Sequence, residues 1–181
     1  VDLLPMKRHY HHAGHEETRG RMDPHIWLSA KAVTIQARNI CDALIDEDPD
    51  HAAFYEKNLR AFIDDLDRLD RTISDTLKNP ASRKFIAFHP AWGYFARDYC
   101  LEQIPIELEG KSPSARSLTR LIELAQSENV KVVVVQKQFS TASAKAVAEI
   151  IGARVVQLDP LDPDYLKNMK RIADSLKGAM K

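Results

Sequence analysis

The side chains best suited to chemistry in this chain are histidines, and they are unevenly placed. Five of the seven fall within the first 25 residues: His9, His11, His12, His15 and His25. His89 ends the apolar run that begins at Lys84, and His51 follows Asp48-Pro49-Asp50. A neutral imidazole offers one ring nitrogen as a lone-pair donor and suits borderline-soft divalent ions. A His-rich segment followed by histidines at two element boundaries therefore points to a transition-metal ion. His51, in the first turn of a long helical pattern, reads as a surface residue.

A scaffold must hold these side chains, and the hydrophobic pattern describes one. Residues 1–24 show neither period and read as loop, with Pro5, Gly14 and Gly20 as breakers. Trp27 to Ile45 reads as a helix whose stripe is Ala32, Val33, Ile35, Ala37, Ile40, Cys41 and Leu44. Asp48 is placed to cap the next helix, with Pro49 at its first position. Residues 49–78 then carry a stripe of Leu59, Phe62, Ile63, Leu66, Leu69, Ile73 and Leu77. About 30 residues at 1.5 Å each make a rod of roughly 45 Å, long enough to be a spine between two lobes.

From residue 80 strands and helices alternate. Lys84–His89, Gln103–Leu108, Lys131–Gln136 and Arg154–Asp159 read as strands. Trp92–Tyr99, Ser114–Ser127, Ser140–Ile151 and Pro163–Met180 read as helices. The fold class is therefore α/β: a four-stranded parallel sheet flanked by helices, preceded by the long helix and by a remnant of an N-terminal lobe. The division expected is 1–48 for the loop and last helix of that lobe, 49–79 for the linking helix and 80–181 for the C-terminal lobe.

Open parallel sheets bind ligands beyond the carboxyl ends of their strands. Those ends carry His89, then Glu107 and Glu109, then Gln136, then Asp159. Imidazole, carboxylates and an amide suit a metal better than a phosphate, and the first turn, Pro90-Ala91-Trp92-Gly93, is no glycine-rich phosphate loop. The 26 basic and 26 acidic residues balance, which argues against a nucleic-acid groove. No run of about 18 apolar residues is present to span a bilayer. Cys41 and Cys100 lie far apart at apolar positions and read as two buried free thiols rather than a disulfide.

Several of these segments together resemble a known family. Asp23-Pro24-His25-Ile26-Trp27-Leu28 looks like the motif DPHxWL of the zinc/manganese substrate-binding proteins of bacterial ABC transporters. Asp48-Pro49, with Tyr55 and Asn58, resembles the start of their backbone helix. His89-Pro90-Ala91-Trp92-Gly93-Tyr94-Phe95 resembles their HxxxGYF segment. Ser112 to Ala115, Gln138 to Ser140 and Leu158-Asp159-Pro160-Leu161, followed by Tyr165 and Met169, resemble further loops. The resemblance runs from about residue 9 to the C-terminus.

It implies metal ligands His25, His89 and Asp159 in a cleft between two lobes, and an auxiliary His-rich loop of His9, His11, His12 and His15. An earlier histidine ligand and the first lobe's strands have no counterpart, so the chain, which opens on Val1, reads as the C-terminal part of a longer protein. Ala30 stands where the family motif carries Pro. Gln136 stands where many members carry Glu, and it is not assigned as a ligand. The imidazole at position 89 favours Zn2+ over Mn2+, whose receptors place a carboxylate there. The implied role is a high-affinity, extracytoplasmic or periplasmic zinc receptor, monomeric at full length, that passes the ion to a membrane permease without catalysis. Two rival readings are a zinc hydrolase using Glu107 or Glu109 as base, and an adhesin lobe with a structural metal. Metal affinity is expected to fall as pH drops through the imidazole range, because the ligands must be unprotonated.

Overall fold

The computed structural model describes residues 2–5, 22–107, 114–138 and 142–180. The histidines of the loop, His9, His11, His12 and His15, and Glu109 lie outside the described residues. A 3-10 turn, Ile26–Leu28, leads into helix α1, Ala30–Glu47. Ser29 caps α1: its hydroxyl accepts the Ala32 N–H at 3.0 Å, satisfying one of the helix's unpaired donors.

The stripe read for α1 divides. Cys41 is buried, but Ile35, Ile40 and Leu44 are exposed, at 41%, 60% and 43%. These three face away from the packed core of the described residues. The second helix also departs from expectation. Pro49–His51 forms a 3-10 turn, and helix α2 is Ala52–Thr76, 25 residues and roughly 37 Å long. Asp48 does not cap that turn through its side chain. Its carboxylate instead accepts from the Tyr55 hydroxyl at 2.6 Å and lies 2.9 Å from His51 Nδ1. Those two bonds hold the Asp48 carboxyl below its ordinary range.

The remaining elements are β1 (Lys84–Ala87), α3 (Gly93–Asp98), β2 (Glu102–Pro105), α4 (Ala115–Ser127), β3 (Val132–Gln136), α5 (Ala142–Ile151), β4 (Arg154–Leu158) and α6 (Tyr165–Ala179). All strand pairings are parallel, in the order β2-β1-β3-β4. Ile86 pairs with Ile104 and Val133, and Gln136 with Leu158. The sheet is buried on both faces, which is why β3 tolerates four valines in a row. Phe85, Ala87, Val132 and Val134 pack against Ile73, Phe95, Met169 and Ile172 from α2, α3 and α6. Ile86, Val133 and Val135 point the other way, onto Leu121 of α4 and Val147 of α5. The alternation follows from the two-residue strand period. After α5, Gly152 takes a φ of 66°, the left-handed conformation that ends many helices.

Both cysteines are free, and they differ. Cys41 is buried whereas Cys100 is exposed. The expectation of two buried thiols therefore fails at Cys100. It stands past the end of α3 with a φ of 55°, in the turn before β2, where the chain reverses at the surface.

Candidate metal centre

Two segments 64 residues apart meet at the carboxyl edge of the sheet. Beyond β1 the ladder continues for a residue or two: Phe88 N–H donates to Val134 O at 2.9 Å and Glu107 N–H to Phe88 O at 2.9 Å. This extension sets His89 beside Glu107, and His89 Nδ1 lies 3.4 Å from Glu107 Oε2. The chain then folds back, with Trp92 N–H donating to the buried Gln103 Oε1 at 2.7 Å.

The segment carrying His25 is fixed by its own bonds. Asp23 N–H donates to Leu4 O at 2.8 Å, and Tyr94 hydroxyl donates to Asp23 O at 2.9 Å. The Tyr94 oxygen also accepts from Leu4 N–H at 3.0 Å. One carboxylate oxygen of Asp23 accepts from His25 N–H at 2.9 Å and lies 2.6 Å from His25 Nδ1. Asp23 is only 4% exposed.

The outcome is a facing pair of imidazoles. His25 Nε2 and His89 Nε2 are 3.4 Å apart, with ring planes at 80°. Two nitrogens bound at about 2.0–2.1 Å to one tetrahedral ion stand about 3.3–3.4 Å from each other. The pair therefore has the span of a two-imidazole chelate, with each Nδ1 turned to a carboxylate. Trp27 stands against His25, ring centroids 5.3 Å apart.

Asp159 is not brought to this pair. Its Oδ1 accepts from Gln138 Nε2 at 3.0 Å and from Leu161 N–H at 3.0 Å. The Leu161 amide first, and then the Gln138 amide, hold the Asp159 carboxyl below its ordinary range. Among the described residues no three His, Cys, Asp or Glu side chains gather into a metal cluster. The Trp27 indole links the two regions, donating to Pro160 O at 3.0 Å. Gln136 is buried at the end of β3, and its Oε1 has no hydrogen-bond partner among the described residues. His51 is exposed and paired with Asp48, as a surface residue would be.

Three contributors escaped the sequence reading: Asp23, Tyr94 and Gly93. Asp23 sits two residues before a candidate ligand, which is a weak signal. Gly93 matters through space, because a Cβ there would stand 2.6 Å from Asp23 Oδ2.

Fold and site together define an α/β lobe that presents two imidazoles at its sheet edge, a donor set suited to a borderline metal ion. The family model described as "Zinc-uptake complex component A periplasmic", ZnuA, matches residues 1–179, and the chain belongs to that family. The High-affinity zinc uptake system protein ZnuA of Bacillus subtilis (strain 168) is 34% identical over 171 residues. That match covers 88% of this chain and 54% of the relative. A crystal structure of ZnuA superposes with a TM-score of 0.85 at 48% identity, covering 88% of this chain and 63% of that one. A deletion mutant of ZnuA with zinc bound gives 0.87 at 43% identity, covering 99% and 66%. The chain thus spans about half the length of the curated Bacillus relative.

Proposed function

We propose that this chain is the C-terminal part of a zinc receptor that binds Zn2+ between two lobes and hands it to the permease of an ABC transporter. The carrying observation is the 3.4 Å separation of His25 Nε2 and His89 Nε2, the span that a tetrahedral ion requires of two nitrogen ligands. Relatives named for zinc uptake and a zinc-bound structural neighbour support the choice of metal. Mn2+ prefers carboxylate and water oxygens, so two imidazoles suit it less. The family description supports a periplasmic or extracytoplasmic location.

Asp159 is proposed as a third donor. To serve, its carboxylate must turn from Gln138 and Leu161 toward the imidazoles. The Trp27–Pro160 bond, which joins the turn after His25 to the loop after Asp159, supports a shared site. His9, His11, His12 and His15 are proposed as an auxiliary loop that gathers zinc. Residues 1–48 are read as part of a first lobe, 49–79 as the linking helix and 80–181 as the second lobe. The exposed Ile35, Ile40 and Leu44 of α1 support that division, because a larger lobe would cover them. A full-length monomer is proposed.

Glu107 lies on the Nδ1 side of His89, away from the atom that would face the ion. A general base for a metal-bound water belongs within reach of that water, so this placement favours a receptor over a hydrolase.

The experiment is zinc titration of the full-length protein against a chromophoric chelator. Structural zinc sites release about 10–16 kcal/mol over four ligands, or roughly 2.5–4 kcal/mol each. His25→Ala and His89→Ala are therefore each expected to weaken zinc binding by about a hundredfold or more. Unchanged affinity in both variants would refute the reading.

A further inference from the structure

The two imidazoles share an arrangement that ligand assignments do not describe. Each turns Nδ1 to a carboxylate and Nε2 to its partner. Asp23 Oδ1 is 2.6 Å from His25 Nδ1 and Glu107 Oε2 is 3.4 Å from His89 Nδ1. Both carboxylates are nearly enclosed, with residue exposures of 4% for Asp23 and 7% for Glu107. A free neutral imidazole carries its proton on either nitrogen, and only the Nδ1–H tautomer leaves Nε2 with a lone pair for a metal. An ionised carboxylate facing Nδ1 can only accept, so it selects that tautomer and fixes the ring's plane.

We infer that Asp23 is a positioning residue, which holds the proton of His25 on Nδ1 and so aims its Nε2 lone pair at the ion shared with His89. The inference rests on the receptor reading above and adds what orients the ligands. The fold supplies a socket for Asp23. Its backbone is tied to Leu4 and Tyr94, and its second oxygen occupies the space that a Cβ on Gly93 would need, 2.6 Å away. Gly93 and Tyr94 belong to the segment that follows His89 in sequence. The two ligand segments thus hold each other: the chain after His89 shapes the carboxylate that orients His25.

The test uses the full-length protein and two readouts. Zinc affinity is measured by chelator competition. The imidazole tautomers of the zinc-free protein are read by long-range proton–nitrogen NMR correlation at a pH where the rings are neutral. Wild type is expected to show His25 as Nδ1–H. Asp23→Ala is expected to weaken zinc binding by about 10–100-fold, the usual consequence of losing a carboxylate behind a ligand histidine, and to release His25 toward Nε2–H. Asp23→Asn keeps an acceptor oxygen, so it should retain the tautomer and recover most of the affinity. Gly93→Ala displaces the carboxylate without deleting it and should reproduce the Asp23→Ala tautomer change.

Wild-type affinity and an unchanged tautomer in Asp23→Ala would overturn the inference. An equal loss in Asp23→Asn and Asp23→Ala, with the Nδ1–H tautomer kept in both, would also overturn it, since that pattern marks a merely structural role. Failure of the receptor reading is distinguishable: His25→Ala would then leave zinc binding intact, while the tautomer of His25 would still report on Asp23.

Discussion

The Trp27 indole donates a 3.0 Å hydrogen bond to the carbonyl of Pro160, joining the turn that follows His25 to the loop that follows Asp159. Trp27 also packs against the core cluster that contains Trp92, Met169 and Ile172, and Pro160 is buried. Trp27→Phe keeps an aromatic ring but leaves a buried carbonyl without its donor. That loss is expected to cost about 1–3 kcal/mol, measured as a shift in urea midpoint with little change in slope. A midpoint equal to wild type would show that the bond contributes nothing to holding the two segments together.

Helix α2 buries Leu66, Leu69 and Ile73, and Leu69 and Ile73 join the core formed with the strands and α6. Ile73→Ala is expected to destabilise the protein by about 2–5 kcal/mol through lost transfer energy and a residual cavity. Ile40 of α1, 60% exposed, gives the contrast. In this 181-residue chain Ile40→Ser should change stability by no more than about 0.5 kcal/mol. In the full-length protein, where a larger lobe is proposed to cover α1, the same change should cost several times more. Chemical denaturation of both forms measures the difference, and equal effects would count against the proposed division at residue 48.

These two helices also show where the sequence was readable. The valine run of β3 and the apolar run of β1 carry local signals, and the parallel α/β lobe follows from them and from the alternation of strands with helices. The sheet order β2-β1-β3-β4 depends on which strand edges meet, and no local period encodes it. Within the site, His25 and His89 were legible because a resemblance spans both motifs. Asp23 and Gly93 stand in the same motifs, but their relation, a 2.6 Å approach across 70 positions that a Cβ on Gly93 would meet, exists only in the folded chain. Asp159 was expected at the site, yet its carboxylate accepts from the neighbouring Leu161 amide and from Gln138, 21 positions away, a competition invisible in a list of rim residues.

The two thiols offer a direct chemical check. Cys100 is exposed and Cys41 is buried, and both are free. In native protein a thiol reagent is expected to modify Cys100 rapidly and Cys41 only upon unfolding. Mass spectrometry of the labelled chain distinguishes the two. Prompt modification of both residues would contradict the packing of α1, and modification of neither without reductant would point to a disulfide.

Alkaline titration probes the back of the lobe. Burial, reinforced by the negative charge of Asp98, pushes the Tyr165 hydroxyl well above its usual value. Burial does the same to Tyr99, helped by Asp70, whose Oδ1 accepts from the Tyr99 hydroxyl at 2.9 Å. In the unfolded chain both phenols ionise near pH 10. Above that pH the folded protein therefore holds more protons than the unfolded one, and rising pH favours unfolding. The stabilisation linked to these groups is complete below about pH 10 and is lost progressively above it. Tyrosinate absorbance from Tyr99 and Tyr165 should thus appear only together with loss of far-ultraviolet circular dichroism. Tyr165→Phe removes a buried hydroxyl that has no partner among the described residues. It should leave stability at neutral pH within about 0.5 kcal/mol of wild type and move the alkaline transition to higher pH. Ionisation of both phenols while the circular dichroism is still native would show that the interior around α6 is open to water.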